Sequence, residues 1–280
     1  MSMLKTLSII NNEVHMRLVI FLICFQMVFY ASFACAVEAK VERFALVIGN
    51  QNYQASPLQN ALNDAQSISN ALADLGFRVS TLEDADASTM IASVNTFYKD
   101  VRNDNSASKL ALVYYAGHAI QINQANYLIP LDIEFNSQDT FISSLYNLSD
   151  LFTQMQDSPG LQNVVILDAC RDNPFEGSFD FAITQGLAPV KAPAGTLIAF
   201  ATEPGGVASD GGNSRNGTYT KHLLRHLSQS ISVEEIFKKV RTGVAKDTRN
   251  RQIPWEHSSL LDDVYLSPPK NKNLPNIVVF

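Results

Sequence analysis

The chain has 280 residues, 46% of them hydrophobic, enough to bury an ordinary core in one large domain or two small ones. Its net charge is −6 and its basic residues are dispersed, which excludes the electrostatic footprint of a nucleic-acid-wrapping protein and favours positively charged partners. No linker-like shift of composition, internal repeat or low-complexity tract divides it, so a single main domain is expected.

Residues 18–36 (LVIFLICFQMVFYASFACA) are almost continuously apolar, preceded by Arg17 and ended by the small-residue pattern Ala34, Cys35, Ala36. That is the layout of a removable secretory signal, and cleavage after Ala36 would leave residues 37–280 as an exported, periplasmic or secreted protein. The run is also just long enough to span a bilayer, so a retained membrane anchor is the alternative, with a lipid-modified Cys35 as a third. Gln26 interrupts the run and favours the signal. The residues before Met16 do not resemble a compact basic leader, which makes Met16 a candidate start. With Cys24 and Cys35 in the leader, Cys170 is the single cysteine of residues 37–280. One thiol cannot form an internal disulfide; in an oxidising compartment its presence asks for either burial or chemistry.

Residues 43–49 (RFALVIG) are expected to form a short buried strand. Ala61, Ala65, Ile68, Leu72 and Leu75 then recur at helical spacing, with Gly76 closing the helix. Residues 77–82 give the next strand, and Ser88 is expected to cap a helix striped by Met90, Val94, Phe97 and Val101. Residues 109–116 (KLALVYYA) are apolar on both faces, as in a parallel sheet covered on both sides. A short strand over 127–131 follows, then a helix marked by Leu148, Leu151, Phe152 and Met155, a buried strand over 163–169 (NVVILDA) and another over 195–202 (GTLIAFAT). Two helices finish the core, one over 219–228 and one opened by the capping box of Ser232 and Glu235 and running to about Asp247. Strands alternating with helices imply βαβ crossovers: an α/β fold, a mostly parallel sheet with helices on both faces. The stretch 173–194 and the glycine-rich loop 205–213 are irregular.

In such a sheet, ligands bind beyond the carboxyl ends of the strands. His118 follows the strand ending at Ala116 and Cys170 follows the strand ending at Ala169, so both lie on that edge. If the strands are neighbours, imidazole and thiol come within reach. A cysteine nucleophile needs such a base, because a free thiol pKa of about 8.5 leaves little thiolate at neutral pH. Arg171 would add positive potential. The 52-residue separation accommodates one further strand and helix between the two, and matches the caspase order of histidine about 50 residues before cysteine.

The stretches RFALVIGNQNY, LQNALNDAQSISNAL, LVYYAGHAIQ, NYLIPLD, VVILDACRDNPF, GTLIAFATEPG and QIPWEHSSL resemble the bacterial caspase-like peptidases, relatives of metacaspases and paracaspases, over nearly all of residues 42–266. The resemblance implies a three-layer caspase-haemoglobinase sandwich over residues 37–268, with residues 269–280 as a tail, and a cysteine endopeptidase with a His118–Cys170 dyad acting through an acyl-enzyme. It also implies an oxyanion site built from the backbone amides of Cys170 and of the residue after the histidine. That residue is glycine in the family and Ala119 here, a substitution that matters if the turn needs a positive φ.

Asp168, two residues before Cys170 on one strand, faces the same side. Asp64, near the start of the first helix, resembles the family's second acidic pocket residue. Two carboxylates in one pocket favour a guanidinium or ammonium, so cleavage of polypeptides after Arg or Lys is expected rather than after Asp. The plain alternative is that Asp64 stabilises its helix N-terminus and Asp168 ends a strand in solvent. A catalytically silent peptide-binding or envelope scaffold protein is the other functional reading.

His222 and His226 have i, i+4 spacing but no following glutamate or third ligand, so a solvent-facing helix is expected there and no metal site. Trp255 and His257 are expected to pack the carboxy-terminal segment. Asp132, Glu134 and Asp139 form a loose acidic cluster without EF-hand spacing; no cofactor is required, and calcium activation is left open. Tyr219 and the 205–213 loop are candidates for shaping the cleft, and Lys191 is a candidate self-cleavage point. Neither nucleic acid nor, unless the leader is retained, a membrane is an expected partner.

Overall fold

The computed structural model describes residues 41–134, 136–156, 160–170, 183–184, 187–206, 208–212 and 214–268. The signal or anchor expected over 1–36, the start at Met16, Arg171, most of the stretch 173–194 and the tail 269–280 lie outside the described residues. Among the described residues, no helix is long and apolar enough to cross a membrane.

The order of elements is β1 (Glu42–Gly49), α1 (Ala61–Asp74), β2 (Arg78–Glu83), α2 (Ala87–Asn103), β3 (Lys109–Ile122), β4 (Ala125–Leu128), α3 (Gln138–Ser143), β5 (Tyr146–Asn147), α4 (Leu148–Gln156), β6 (Leu161–Cys170), β7 (Ile183–Thr184), β8 (Thr196–Phe200), α5 (Thr218–His226), α6 (Val233–Asp247) and β9 (Trp255–Ser258). The main sheet runs β2-β1-β3-β6-β8-β9; its pairs are parallel except the last, where β9 closes the edge antiparallel to β8.

Because the central strands alternate two buried faces, each face carries its own core. Leu110, Leu112 and Tyr114 of β3 pack with Val164 and Ile166 of β6 against α1, α5 and α6. Ala111, Val113 and Tyr115 pack with Val165 and Leu167 against α2 and α4. This is the expected α/β sandwich, with helices on both faces of a mostly parallel sheet.

Local differences from expectation have simple causes. The cap of α2 is Asp86, whose carboxylate accepts from the Thr89 N–H at 2.6 Å; Ser88 lies inside the first turn and donates its hydroxyl to the same carboxylate. Strand β3 does not stop at Ala116 but continues to Ile122, turns through Asn123 and Gln124, both with positive φ, and pairs back with β4. The strand expected over 127–131 is the returning arm of this hairpin, β4, which begins and ends a few residues earlier. Beneath it a third apolar cluster gathers Tyr53, Ile120, Ile122, Ile129, Phe141 and Leu145. Trp255 is 46% exposed on edge strand β9 rather than packed inside.

The end of β1 is shaped for α1. A Cβ on Gly49 would stand 2.6 Å from the Ala65 Cβ and 2.9 Å from the Ala61 carbonyl oxygen. Gly49→Ala is therefore expected to cost about 1–3 kcal/mol through overpacking, read as a lower midpoint of urea unfolding; an unchanged midpoint would contradict this close approach.

Candidate active site

The register of β3 on β6 sets Ala116 opposite Asp168, Gly117 opposite Ala169 and His118 opposite Cys170. Neighbouring strands run about 4.8 Å apart, so the two backbone positions singled out from sequence are direct neighbours at the carboxyl edge of the parallel sheet. His118 lies within β3, at the point where the strand leaves the parallel sheet for its antiparallel extension, and not in a loop beyond it.

The imidazole of His118 is buried, 1% exposed, and held by the loop that follows β1. Its Nε2 lies 2.7 Å from the Ser56 carbonyl oxygen, and the Tyr53 ring packs against it with centroids 4.5 Å apart. A carbonyl can only accept, so Nε2 carries the proton of the neutral ring and Nδ1 is the basic nitrogen. That loop is itself pinned. Asn50 donates to the Ala85 and Ile129 carbonyls and accepts from the Ala85 N–H, and Asp84 Oδ1 accepts from the N–H groups of Gln51 and Asn52.

Ala119 continues β3 and is not among the residues with positive φ, so the penalty that a side chain would incur in a left-handed turn does not arise. The Ala116 carbonyl accepts from the Asn50 N–H and the His118 carbonyl from the Ile129 N–H, which directs these even-numbered residues toward the β1 and β4 edge. Alternation then turns the Ala119 N–H toward the opposite edge, which carries β6.

The two predicted carboxylates meet. Asp64 (3% exposed) and Asp168 (8% exposed) border one small space, since a Cβ built on Gly217 would lie 2.9 Å from Asp64 Oδ2 and 3.7 Å from Asp168 Oδ2. Asp64 lies in the first turn of α1, but its side-chain hydrogen bonds go to another element. Its carboxylate accepts from Asn216 Nδ2 (2.8 Å) and from the Gly217 N–H (3.0 and 3.2 Å), in the segment leading into α5. Asp168 accepts from the Thr220 hydroxyl at 2.6 Å, and Thr220 is in turn 2.6 Å from the Tyr114 hydroxyl. Burial, reinforced by the charge of Asp168, pushes Asp64 up to about 8; burial pushes Asp168 up to about 6 against its hydrogen bonds.

A third carboxylate joins them that sequence reading did not single out. Asp210, in the glycine-rich loop, accepts from the Gln59 N–H at 2.7 Å, and its carbonyl accepts from the Asn60 side chain. Burial raises its pKa against the hydrogen bonds from the Gln59 and Asn60 backbone. The 205–213 loop is thus held against the start of α1 through Asp210 and Gly212, while Val207 and Asn213 lie outside the described residues. Asn60 stands at the N-cap of α1 yet makes no capping bond, because its amide holds this loop instead. Asp210, Tyr53, Ser56 and Thr220 escaped notice because nothing in their local sequence marks them; only the chain crossings bring them to one place.

The remaining candidates fall elsewhere. His222 is buried, not solvent-facing, and its Nε2 is 2.9 Å from Asp247 Oδ2; His226 lies beside Gln229. Asp132 accepts from the Ala87 N–H at the start of α2. Tyr219 is fully buried beneath the pocket, its phenol pushed up by burial and by Asp168. Lys191 is exposed. Among the described residues, no three His, Cys, Asp or Glu side chains are grouped to hold a metal ion.

The human mucosa-associated lymphoid tissue lymphoma translocation protein 1 is 27% identical over 233 residues, covering 81% of this chain and 27% of the human protein, and its mouse homologue matches to the same extent. A probable protease of a Desulfuromonadales bacterium is 31% identical over 125 residues, 41% of this chain and 14% of that protein. The chain thus spans about a quarter or less of the length of these relatives. The sequence model of the caspase domain matches residues 42–265, the whole of the sheet and helices described above, and the chain belongs to that family of cysteine peptidases, peptidase C14.

Proposed function

We propose that the protein is an endopeptidase that cleaves polypeptides after arginine or lysine with a His118–Cys170 dyad. The observation that carries this reading is the meeting of Asp64, Asp168 and Asp210 beside the loop that holds His118. Three buried or half-buried carboxylates without a basic side chain among the hydrogen-bond partners described for them favour a cation brought by a ligand. An acidic residue at the cleavage point would be repelled there.

In the proposed reaction, Nδ1 of His118 takes the thiol proton of Cys170 and the thiolate attacks the scissile carbonyl carbon. The N–H groups of Ala119 and Cys170 donate to the oxyanion of the tetrahedral intermediate. His118 returns its proton to the leaving amine as the C–N bond breaks, giving a thioester. Water then attacks the thioester with His118 as base, and the acid leaves as the thiol re-forms. Ser56 holds the Nε2–H throughout, so the ring shuttles its proton on one nitrogen.

The test is a panel of reporter peptides with Arg, Lys or Asp at the cleavage point, assayed with wild type and Cys170→Ala, with and without calcium. Turnover of the Arg or Lys reporters that disappears in Cys170→Ala is the expected result. Preference for Asp would refute the pocket assignment, and turnover that survives Cys170→Ala would refute the dyad. The calcium arm decides whether the ion is needed. The apolar run at 18–36 supports export as the setting, and amino-terminal sequencing of the mature protein checks it.

A further inference from the structure

The adjacent tyrosines of the YYAGH stretch send their hydroxyls to opposite faces of the sheet. Tyr114 goes to the acidic side, 2.6 Å from Thr220. Tyr115 goes to the other side, where it meets Tyr53 beneath the backbone of His118, the two hydroxyl oxygens 3.2 Å apart.

What this second pair does is visible in the β3–β4 ladder. His118 and Ile129 occupy a hydrogen-bonded position and would ordinarily exchange two backbone bonds. One is present, from the Ile129 N–H to the His118 carbonyl at 3.0 Å. In place of the other stands the Tyr53 hydroxyl, which accepts from the His118 N–H at 3.0 Å and donates to the Ile129 carbonyl at 3.0 Å. The Tyr115 hydroxyl donates to the His118 carbonyl at 2.7 Å. Both backbone polar groups of His118 are therefore tied to tyrosine hydroxyls. The Tyr53 ring also packs on the imidazole, and three residues later in the same loop Ser56 fixes the ring tautomer.

Gly117 makes room for the pair. A Cβ there would lie 2.5 Å from the Tyr115 hydroxyl oxygen and 2.7 Å from that of Tyr53. Its φ is not in the positive range, so space and not backbone conformation calls for glycine.

We propose that Tyr53 and Tyr115 are positioning residues for His118: an inserted hydroxyl pair sets where β3 bends away from the parallel sheet and so where the imidazole stands, with Gly117 as the opening that admits it. The inference rests on the peptidase reading for its kinetic consequences, but its structural content is independent of them.

The experiment compares wild type, Tyr53→Phe, Tyr115→Phe and Tyr114→Phe as full chains. It measures kcat and KM on an arginyl reporter peptide across pH, ring ¹⁵N chemical shifts of His118, and thermal melts. Removing either hydroxyl of the pair is expected to lower kcat about 10- to 100-fold, the scale of a small misplacement of a reacting group. KM should stay within about twofold in the same variants, the pH profile of kcat should change, and the His118 ring should drift from a single Nε2–H tautomer. Tyr114→Phe, which acts on the pocket side, is expected to move KM instead. If both Phe variants keep the wild-type kcat, profile and ring shifts, the inference is wrong while the peptidase reading stands. If wild type turns over no peptide, the peptidase reading fails and the ring shifts alone decide: unchanged shifts in both variants overturn the inference, altered shifts sustain it. Variants that do not melt cooperatively would be replaced by Gly117→Ala, which crowds both hydroxyls and should alter the same ring shifts.

Discussion

His118→Ala is expected to reduce kcat on an arginyl reporter by about 10²–10⁴-fold, the usual contribution of a positioned general acid and base. In the proposed dyad the ring would supply a base and then an acid, at two moments. A free thiol is only a few per cent ionised at neutral pH, so without Nδ1 to take its proton Cys170 is a poor nucleophile, and without the same proton the leaving amine departs poorly. The two losses respond differently to pH. Raising the pH toward 9 generates thiolate without help and should restore part of the acylation rate in the variant, whereas leaving-group protonation is not restored. A residual kcat that climbs with pH well beyond the wild-type plateau is thus the signature sought. A variant with wild-type activity at pH 7 would remove His118 from the chemistry, whatever its place beside Cys170 in the register.

The second large effect is expected from Asp64→Asn. Asparagine keeps an acceptor for the Gly217 N–H and fits the same space, so the change deletes mainly a charge. Truncating one partner of a buried charge pair costs about 2–5 kcal/mol, so kcat/KM for an arginyl peptide should fall on the order of 100-fold or more. A peptide with an uncharged residue in that position should lose little.

The same carboxylates are expected to make the binding of basic peptides depend on pH. Asp64, pushed up to about 8 by burial and by Asp168, holds its proton at neutrality when the pocket is empty, whereas Asp168, pushed up to about 6 by burial, holds its own only below about pH 6. A cationic side chain must displace these protons. KM for basic peptides is therefore expected to fall as pH rises through about 6 to about 8, with proton uptake by the buffer on binding. The groups facing this pair are the Asp210 carboxylate, the hydroxyls of Thr220 and Tyr114, and the amides of Asn216 and Gly217. A KM that is flat across this range would contradict the assignment.

Stability moves the other way. The folded pKa of each carboxylate lies above the ordinary value of 3.8, so the native state binds more protons than the unfolded chain between the two values. Stability then declines as pH rises from about 4 and is lowest above about 8, where both carboxylates must be charged. Asp64→Asn should raise the melting temperature at pH 8 more than at pH 5. Differential scanning calorimetry at the two values checks it; equal shifts would mean that Asp64 carries no excess charge penalty in the empty pocket. Gain of stability together with loss of basic-peptide cleavage is the pattern of a site whose charges serve a ligand.

Much of this architecture was legible in advance because burial on two faces leaves a direct mark on composition. The runs ALVIG, LALVYYA and VVILDA are apolar on both alternating faces, and only a strand covered on both sides needs that. The end of α6 at Asp247 and its cap at Ser232 followed from periodicity and a local hydrogen bond. Where a local signal had competitors, it misled. Ser88 and Asp86 are both good caps, and the choice between them was made by the approach of the chain, which left Asp86 with extended backbone. The i, i+4 pair His222 and His226 suggested one exposed face, but α5 turns His222 inward against Asp247.

By itself the sequence determined the main strands, their covering helices and the placement of His118 and Cys170 toward the carboxyl edge of the parallel sheet, since hydrophobic period and chain order are local and countable. Only the tertiary structure decided that the two strands are neighbours in register, that Asp210 joins Asp64 and Asp168, and that Tyr53 reaches from the first loop to hold the histidine. Those contacts join residues from about 50 to about 150 positions apart, and a pairing over such distances is set by how whole elements pack, which no window of neighbouring residues encodes.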